Sequence, residues 1–196
     1  MGTGGGELLA KLSSAMPPQT IATEEWSANV PVAKKRLNPY RIEVVHCRSA
    51  QLPFKDGAFD LVLDRHEDLD PREVARVLSP GGKIITQQVG RNNWKELWNY
   101  FPRTPGLYDH LELYAEGFQQ AGLNVLTNLS HDYKVAYGIL GDFVYMLALT
   151  PWTIPGFSLE RDIDSIISLD RDCRTENGLE LTECRTLLIA QKPRAT

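Results

Sequence analysis

The 196 residues are 42% hydrophobic and 23% charged. Those proportions suit one folded domain that buries about 70% of its unfolded surface, and they exclude disorder along the whole chain. With 21 Lys and Arg against 25 Asp and Glu, the net charge is −4, which argues against broad binding to phosphate backbones.

Apolar strand-like runs alternate with helix-like runs, the pattern of an α/β fold with a mainly parallel sheet. The chain opens on M-G-T-G-G-G-E, followed by a short helical run over 8–14 that Met16-Pro17-Pro18 ends. Residues 20–23 read as a short buried strand with Glu24-Glu25 at its end. Residues 27–37 read as a helix, with Pro31 tolerable only in its first turn. A strand over 42–47 and a loop over 51–57, built on Pro53 and Asp56-Gly57, come next. The nearly continuous apolar run at 59–63 suits a central parallel strand.

Asp70-Pro71 starts a helix that runs to Leu78, with Glu73 three residues on to strengthen the cap. Ser79-Pro80-Gly81-Gly82 reads as a sharp turn before a strand over 83–89. Residues 91–105 are loop or broken helix, and 108–121 form an amphipathic helix stopped by Gly122. Residues 143–149 and 185–190 are two late strands, with a helical run at 162–169.

Cys47, Cys173 and Cys184 are too few for a disulfide framework, and no C-x-x-C pair offers a thiolate zinc site, so no metal is expected. No basic stretch leads into an apolar signal region, and the longest apolar run, 143–149, is far short of a membrane span. A reduced, soluble, cytoplasmic protein with no membrane contact is expected.

The chemistry begins at the glycines, which let backbone N–H groups approach a ligand closely. The dinucleotide pattern G-x-G-x-x-G fails because Glu7 stands where its third glycine belongs. What fits is G-x-G-x-G at Gly2, Gly4 and Gly6, although a flexible end would look the same. Glu24 follows Gly6 by 18 residues, at the end of the next predicted strand. An acid there can take both hydroxyls of a ribose; the plain alternative is a solvated surface acid.

Further motifs follow in order: A-T-E at 22–24, A-Q-L-P-F-K-D-G-A-F-D-L-V at 50–62 and V-A-R-V-L-S-P-G-G at 74–82. With G-T-G-G-G-E at 2–7, the ordered set resembles the class I S-adenosylmethionine-dependent methyltransferases, as a methyltransferase type 11-like domain. Arg65-His66-Glu67, Gln87-Gln88-Val89-Gly90 and P-W-x-x-P-G-F at 151–157 resemble one branch of it. The resemblance implies a Rossmann-like, doubly wound, mainly parallel sheet with late antiparallel strands. It implies a single domain over 1–196, with a cofactor-binding half at 1–90 and an acceptor-side half at 91–196.

It also implies S-adenosylmethionine as cofactor and assigns roles. Gly2, Gly4 and Gly6 would pass under the methionine part, and Glu24 would hold the ribose hydroxyls. Glu25 and Trp26 follow, with Trp26 able to stack on adenine. Ser49 and Ala50 would meet the adenine amine, with Ser49 standing where many members have Asp. Asp64 and Arg65 would face the methionine part. The sulfonium is already activated, so a base is needed only if the acceptor must lose a proton; His66 is the first candidate and Glu67 the second. A structural or cofactor-shell role for His66 is the plainer reading.

Trp94, Trp98, Tyr100 and Phe101 could wall an acceptor pocket or simply pack a core. Trp152 reads as a rigid turn residue and Lys34-Lys35-Arg36 as a solvated helix face. The acidic balance favours a small-molecule acceptor over nucleic acid.

The family has a strand before its glycine loop, ending in an acid. Here Met1 directly precedes Gly2, so that first strand is missing and an N-terminally shortened form is expected, stabilised if the strand is restored. Two rivals stand beside the enzyme: a non-catalytic remnant that binds a protein partner through an open sheet edge, and a nicotinamide oxidoreductase, which the glycine spacing disfavours.

Overall fold

The computed structural model describes residues 1–105 and 110–194; the predicted helix start at Tyr108 lies outside the described residues. The chain divides into two compact units. The first comprises Met1–Gln88, Leu111–Leu129 and Leu187–Thr196, and the second Val89–His110 and Ser130–Thr186.

In the first unit, α1 (Glu7–Leu12) leaves the glycine loop through Gly6, whose left-handed backbone (φ 82°) caps it. The strands β1 (Ile21–Glu24) and β2 (Glu43–His46) pair in parallel, Ile21 opposite Glu43 and Glu24 opposite His46. Between them runs α2 (Asn29–Leu37), with Pro31 in its first turn as expected. Its buried Val30, Ala33 and Leu37 recur at helical spacing. Ala33 and Leu37 pack with Ala22, Ile42 and Val44 in a small core.

A second sheet has the order β3-β4-β7-β5, formed by β3 (Phe59–Arg65), β4 (Leu78–Val89), β7 (Gly178–Gln191) and β5 (Asn124–Tyr137). β5 and β7 contribute residues to both units. β3 and β4 are parallel, and the two-residue strand β6 (Arg174–Thr175) pairs antiparallel with β7, so the expected mainly parallel sheet with a late antiparallel strand is present. The predicted turn at 79–82 lies inside β4 as an irregularity. Pairing steps from Phe59–Leu78 to Leu61–Lys83, and the extra residues loop out. Gly82 is required there, because a Cβ would meet the carbonyl oxygens of Ser79 and Phe59.

The main core of this unit lies on one sheet face. Val62, Ile84, Leu188 and Ala190 pack with Val74 and Val77 of α3 (Pro71–Val77) and with Tyr114 and Phe118 of α4 (His110–Gln120). Asp70 caps α3 by accepting the Arg72 N–H at 2.8 Å. Glu73 does not close a capping box as expected. It accepts the Leu52 N–H and pairs with Arg76, whose guanidinium also reaches the carbonyls of Leu52 and Phe54. The side chains of Arg76 and Glu73 therefore fasten the 51–57 loop, and Arg76 holds the Glu73 carboxyl down at about 2.

The second unit corrects one expectation. Residues 143–149 belong to a helix, α5 (Leu140–Leu149), not a strand. Its buried positions, Phe143 and Leu147, are four apart, and Leu, Met and Ala favour helix over strand. α6 (Leu159–Cys173) turns Ile166 and Leu169 into the same core, with Trp94, Leu97, Phe101, Leu179 and Leu181. Trp94 meets Tyr137 and Phe143 edge-on, so Trp94 and Phe101 pack a core. Trp98 and Trp152 are exposed.

At the start of α6, Ser158 accepts the Arg161 N–H while Asp162 accepts the Ser158 N–H at 3.1 Å. Asp162 is buried and also pairs with Arg103. Burial opposes its charge, but bonds from Arg161, Ser158 and Arg103 outweigh that and hold the carboxyl at about 2. Asp162→Ala is expected to cost about 2 kcal/mol in urea unfolding at neutral pH, discounted because Arg103 is partly exposed. The depressed carboxyl adds stability above its unfolded value near ~4 and loses it as pH falls toward 2, so variant and wild type should converge in acid. A difference that persists unchanged in acid would refute the electrostatic account.

Candidate functional site

The parallel strands of the first unit end in polar residues, and their carboxyl ends form the site. Gly2, Gly4 and Gly6 all hold left-handed backbones, with φ of 59°, 58° and 82°. The space where a Gly4 side chain would stand is open, whereas a Cβ at Gly2 would collide with the Glu67 carboxylate. Arg36 binds the Gly5 carbonyl and the Glu7 carboxylate, so this member of the basic run holds the glycine loop instead of lying on a solvated face.

Glu24 is only 5% exposed. Its Oε2 accepts the Gly4 N–H at 2.6 Å, and its Oε1 accepts the Trp26 N–H at 2.9 Å and Asn29 Nδ2 at 3.3 Å. Glu25 pairs with Arg48 at the surface. Trp26, 73% exposed, stands beside the cluster without being packed into it.

Ser49 is buried and donates to Glu67 Oε1 at 3.2 Å; Ala50 is exposed. Asp64, 5% exposed, accepts at Oδ2 from Thr86 Oγ1 at 2.6 Å and from Gln88 Nε2 at 2.7 Å. Gln88 also donates to the Glu67 carbonyl at 2.8 Å. Arg65 alternates to the opposite sheet face and binds the Gln87 side chain. His66 is exposed and left-handed (φ 58°), an uncommon conformation for a non-glycine residue, and its N–H donates to the Gln87 carbonyl.

Burial pushes the Asp64 carboxyl up to about 6 against the bonds from Thr86 and Gln88. Burial also raises Glu67, with the charges of Glu24 and Glu25 adding to the effect. The Met1 ammonium, which donates to the Leu63 carbonyl at 2.5 Å, is lowered by burial against the attraction of Asp64, Glu67 and Glu24. Among the described residues, Asp64 Oδ1 and Thr23 Oγ1 are buried polar atoms without a hydrogen-bond partner, and both lie near these strand ends. Open space over Gly4 and two orphaned polar atoms are features that a polar ligand such as S-adenosylmethionine would fit.

Gly2, Gly4, Glu24, Ser49, Asp64 and Glu67 are thus drawn together, while Arg65, Ala50 and Trp26 stand apart. Arg36, Asn29, Thr86 and Gln88 were missed as site residues. The polar pair Thr86 and Gln88, two apart on the strand face that carries Ile84, was the available signal.

A family model described as a methyltransferase domain matches residues 1–86. A demethylmenaquinone methyltransferase of Listeria monocytogenes serotype 4b is 28% identical over 131 residues, covering 50% of this chain and 54% of the relative. The protein of that name from Listeria welshimeri is also 28% identical over 131 residues, covering 50% and 55%. The chain therefore spans about half the length of these curated relatives. Among solved structures, the YcgJ protein of Bacillus subtilis superposes with a TM-score of 0.69 at 18% identity, covering 99% of this chain and 90% of that one. A Haemonchus contortus phosphoethanolamine N-methyltransferase 2, bound to phosphomonomethylethanolamine and S-adenosylhomocysteine, gives 0.58 at 17%, covering 98% and 48%. These two likenesses concern the fold.

Proposed function

We propose that the chain is a class I S-adenosylmethionine-dependent methyltransferase and that it transfers the methyl group of S-adenosylmethionine to a small-molecule acceptor in the cytoplasm; the methyltransferase-domain match over residues 1–86 supports this reading. The observation that carries this reading is the bond from Gly4 N–H to Glu24 Oε2, which locks a left-handed glycine loop to a buried acid at a strand end. The names of the curated relatives support a small-molecule acceptor.

The donor, when bound, supplies an already activated methyl group; the protein's task is placement. Glu24 would hold the ribose. A carboxylate has about four lone-pair sites, three are engaged here, and Asn29 makes the longest of the three bonds, so it yields most readily to a ribose hydroxyl. Gly2, Gly4 and Gly6 would lie under the methionine part, Ser49 would meet the adenine amine, and Trp26 is free to fold over the ring. His66 would take a proton where the acceptor must lose one. Glu67, already engaged with Ser49, is the second candidate for that role.

Titration calorimetry with S-adenosylhomocysteine tests the reading, after circular dichroism has established folding. Micromolar binding is expected, with quenching of Trp26 fluorescence that NADH does not produce. A folded chain that gives no heat would defeat the proposal in favour of the second reading, a remnant that binds a protein partner. The observation favouring that rival is that, among the described residues, β1 pairs only with β2 and β3 only with β4.

A further inference from the structure

We propose that the outer edge of β5 over residues 130–136 pairs antiparallel with the same stretch of a second copy of this chain, a two-fold axis passing between the two Tyr133 residues. This stretch lies wholly in the second unit, and the inference does not depend on the methyl-transfer reading.

Three observations carry it. β5 is the end strand in the order β3-β4-β7-β5 and, among the described residues, pairs with β7 alone. An edge of this kind presents a row of backbone N–H and C=O groups, and proteins blunt it by keeping it short, breaking it with proline or arming it with lysine. β5 runs for 14 residues with no proline, against a usual strand length of about 5–6. Next, residues 128–134 are exposed without interruption, so both faces of the strand are open there.

Finally, the charges are arranged for self-pairing. Two identical antiparallel strands related by a two-fold axis must set residues of the same face opposite each other, so the axis falls on a residue and not between two. An axis on Asp132 sets acid against acid, and one on Lys134 sets lysine against lysine. An axis on Tyr133 sets Asp132 against Lys134 of the second copy, twice over. It also sets Tyr133 against Tyr133, His131 against Val135 and Ser130 against Ala136. The Tyr133 ring is already held in place, stacked on His131 at 5.9 Å with its hydroxyl donating to Glu183 at 2.9 Å.

A lone lysine would guard this edge, since like charges directly opposite repel. The acid two residues before it reverses that effect in one register. Neighbouring charges extend the pattern: Asp132 lies against Lys95 at 3.6 Å and Lys134 against Glu96 at 2.9 Å. Pairing therefore completes a string of alternating sign, from Lys95 and Asp132 to Lys134 and Glu96 of the second copy. A strand of uniform sign would be repelled at one of the two charged positions; this chain matches itself at both.

Seven paired residues make a small interface, so a dissociation constant of about 10–100 μM is expected in sedimentation velocity. Asp132→Lys leaves two cations on the edge, and Lys134→Glu leaves two carboxylates. Each variant alone should dimerise about 10- to 100-fold more weakly, because both cross-strand pairs turn repulsive. Mixed in equal amounts, the two should form a heterodimer about as tightly as wild type, since acids again face cations at both positions. Hydrogen exchange of wild type should also slow at 130–136 as concentration rises, a readout that requires no variant to fold. A wild type that stays monomeric up to ~500 μM overturns the proposal. So does a dimer whose exchange at 130–136 is independent of concentration, and so does one that both folded variants form as well as wild type.

Discussion

Glu24→Ala is expected to weaken S-adenosylhomocysteine binding by at least about 100-fold. Two charge-assisted hydrogen bonds to a ribose, at ~1.5 kcal/mol each, amount to about that factor. The same carboxylate also satisfies the N–H groups of Gly4 and Trp26, so alanine strips support from the glycine loop as well. Each N–H left buried without a partner would cost about 1–3 kcal/mol, and the melting temperature should fall. Glu24→Gln separates the two effects. Its amide oxygen can still accept from Gly4, but the side chain no longer carries a charge or two acceptor oxygens. A glutamine variant that melts like wild type yet binds ~10-fold more weakly would tie Glu24 to the ligand. An alanine variant that is folded and binds as wild type does would remove Glu24 from the site altogether.

The first 90 residues were legible because local chemistry and tertiary role coincide there. Asp70-Pro71 is a helix start in any context, and the structure uses it as one. The apolar run at 59–63 forms a strand parallel to β4 as read, but among the described residues it stands at the border of its sheet and not at the centre, so Leu61 and Leu63 are exposed. The glycine spacing and Glu24 were legible as a pair, and they are bonded. Past residue 90 the signals lose their force. The 14 residues of β5 mix Asn, Ser, His, Asp and Lys with Val and Tyr and are largely exposed, so no alternation marks a strand. The 143–149 run carries too many apolar residues to show a period; only the burial of Phe143 and Leu147 reveals the helix.

Within the site, the sequence displayed acids but not their partners. Gln88 and Thr86 come to Asp64 only through parallel pairing of β3 and β4, which sets Asp64 opposite Thr86. Arg36 turns from surface charge to loop support because the N-terminal glycines pass the end of α2. Long-range relations of this kind leave no trace in spacing along one chain.

An apolar five-residue strand placed directly before Met1 is expected to raise the melting temperature by ~10 °C. Among the described residues the strands of the first unit fall in two sheets, and β1 and β3 each pair on one side only. The segment from Met1 to Thr3 touches both borders, because the Met1 ammonium donates to the Leu63 carbonyl and the Thr3 N–H to the Thr23 carbonyl at 3.0 Å. Met1 N and Thr3 N are two residues apart, at most ~7 Å, and with a hydrogen bond at each end this reach is of the order of the twice ~4.8 Å that one strand between two others needs. Ile21, Leu61 and Leu63 on the flanking strands are exposed, although each is a residue suited to a buried sheet.

A Val/Ile segment running parallel to β1 and β3 would pair with both borders. Burying such side chains yields about 1.5–3 kcal/mol each, against an ordering cost of about 1–2 kcal/mol per residue, with hydrogen bonds to both neighbours adding about 1 kcal/mol apiece. A net gain of several kcal/mol corresponds to the shift stated, at ~2–4 °C per kcal/mol. The control is a Gly/Ser extension of equal length, which has the same tether but no side chains to bury. Hydrogen exchange should slow at Ile21–Glu24 and Phe59–Arg65 in the Val/Ile form alone. Equal melting temperatures for the two extensions would show that the gap is not a strand site. A gain that appears only as protein concentration rises would mean that open edges pair between copies. A concentration-independent gain, with the exchange pattern confined to those two strands, would mean that one further strand joins the two sheets and braces the glycine loop from behind.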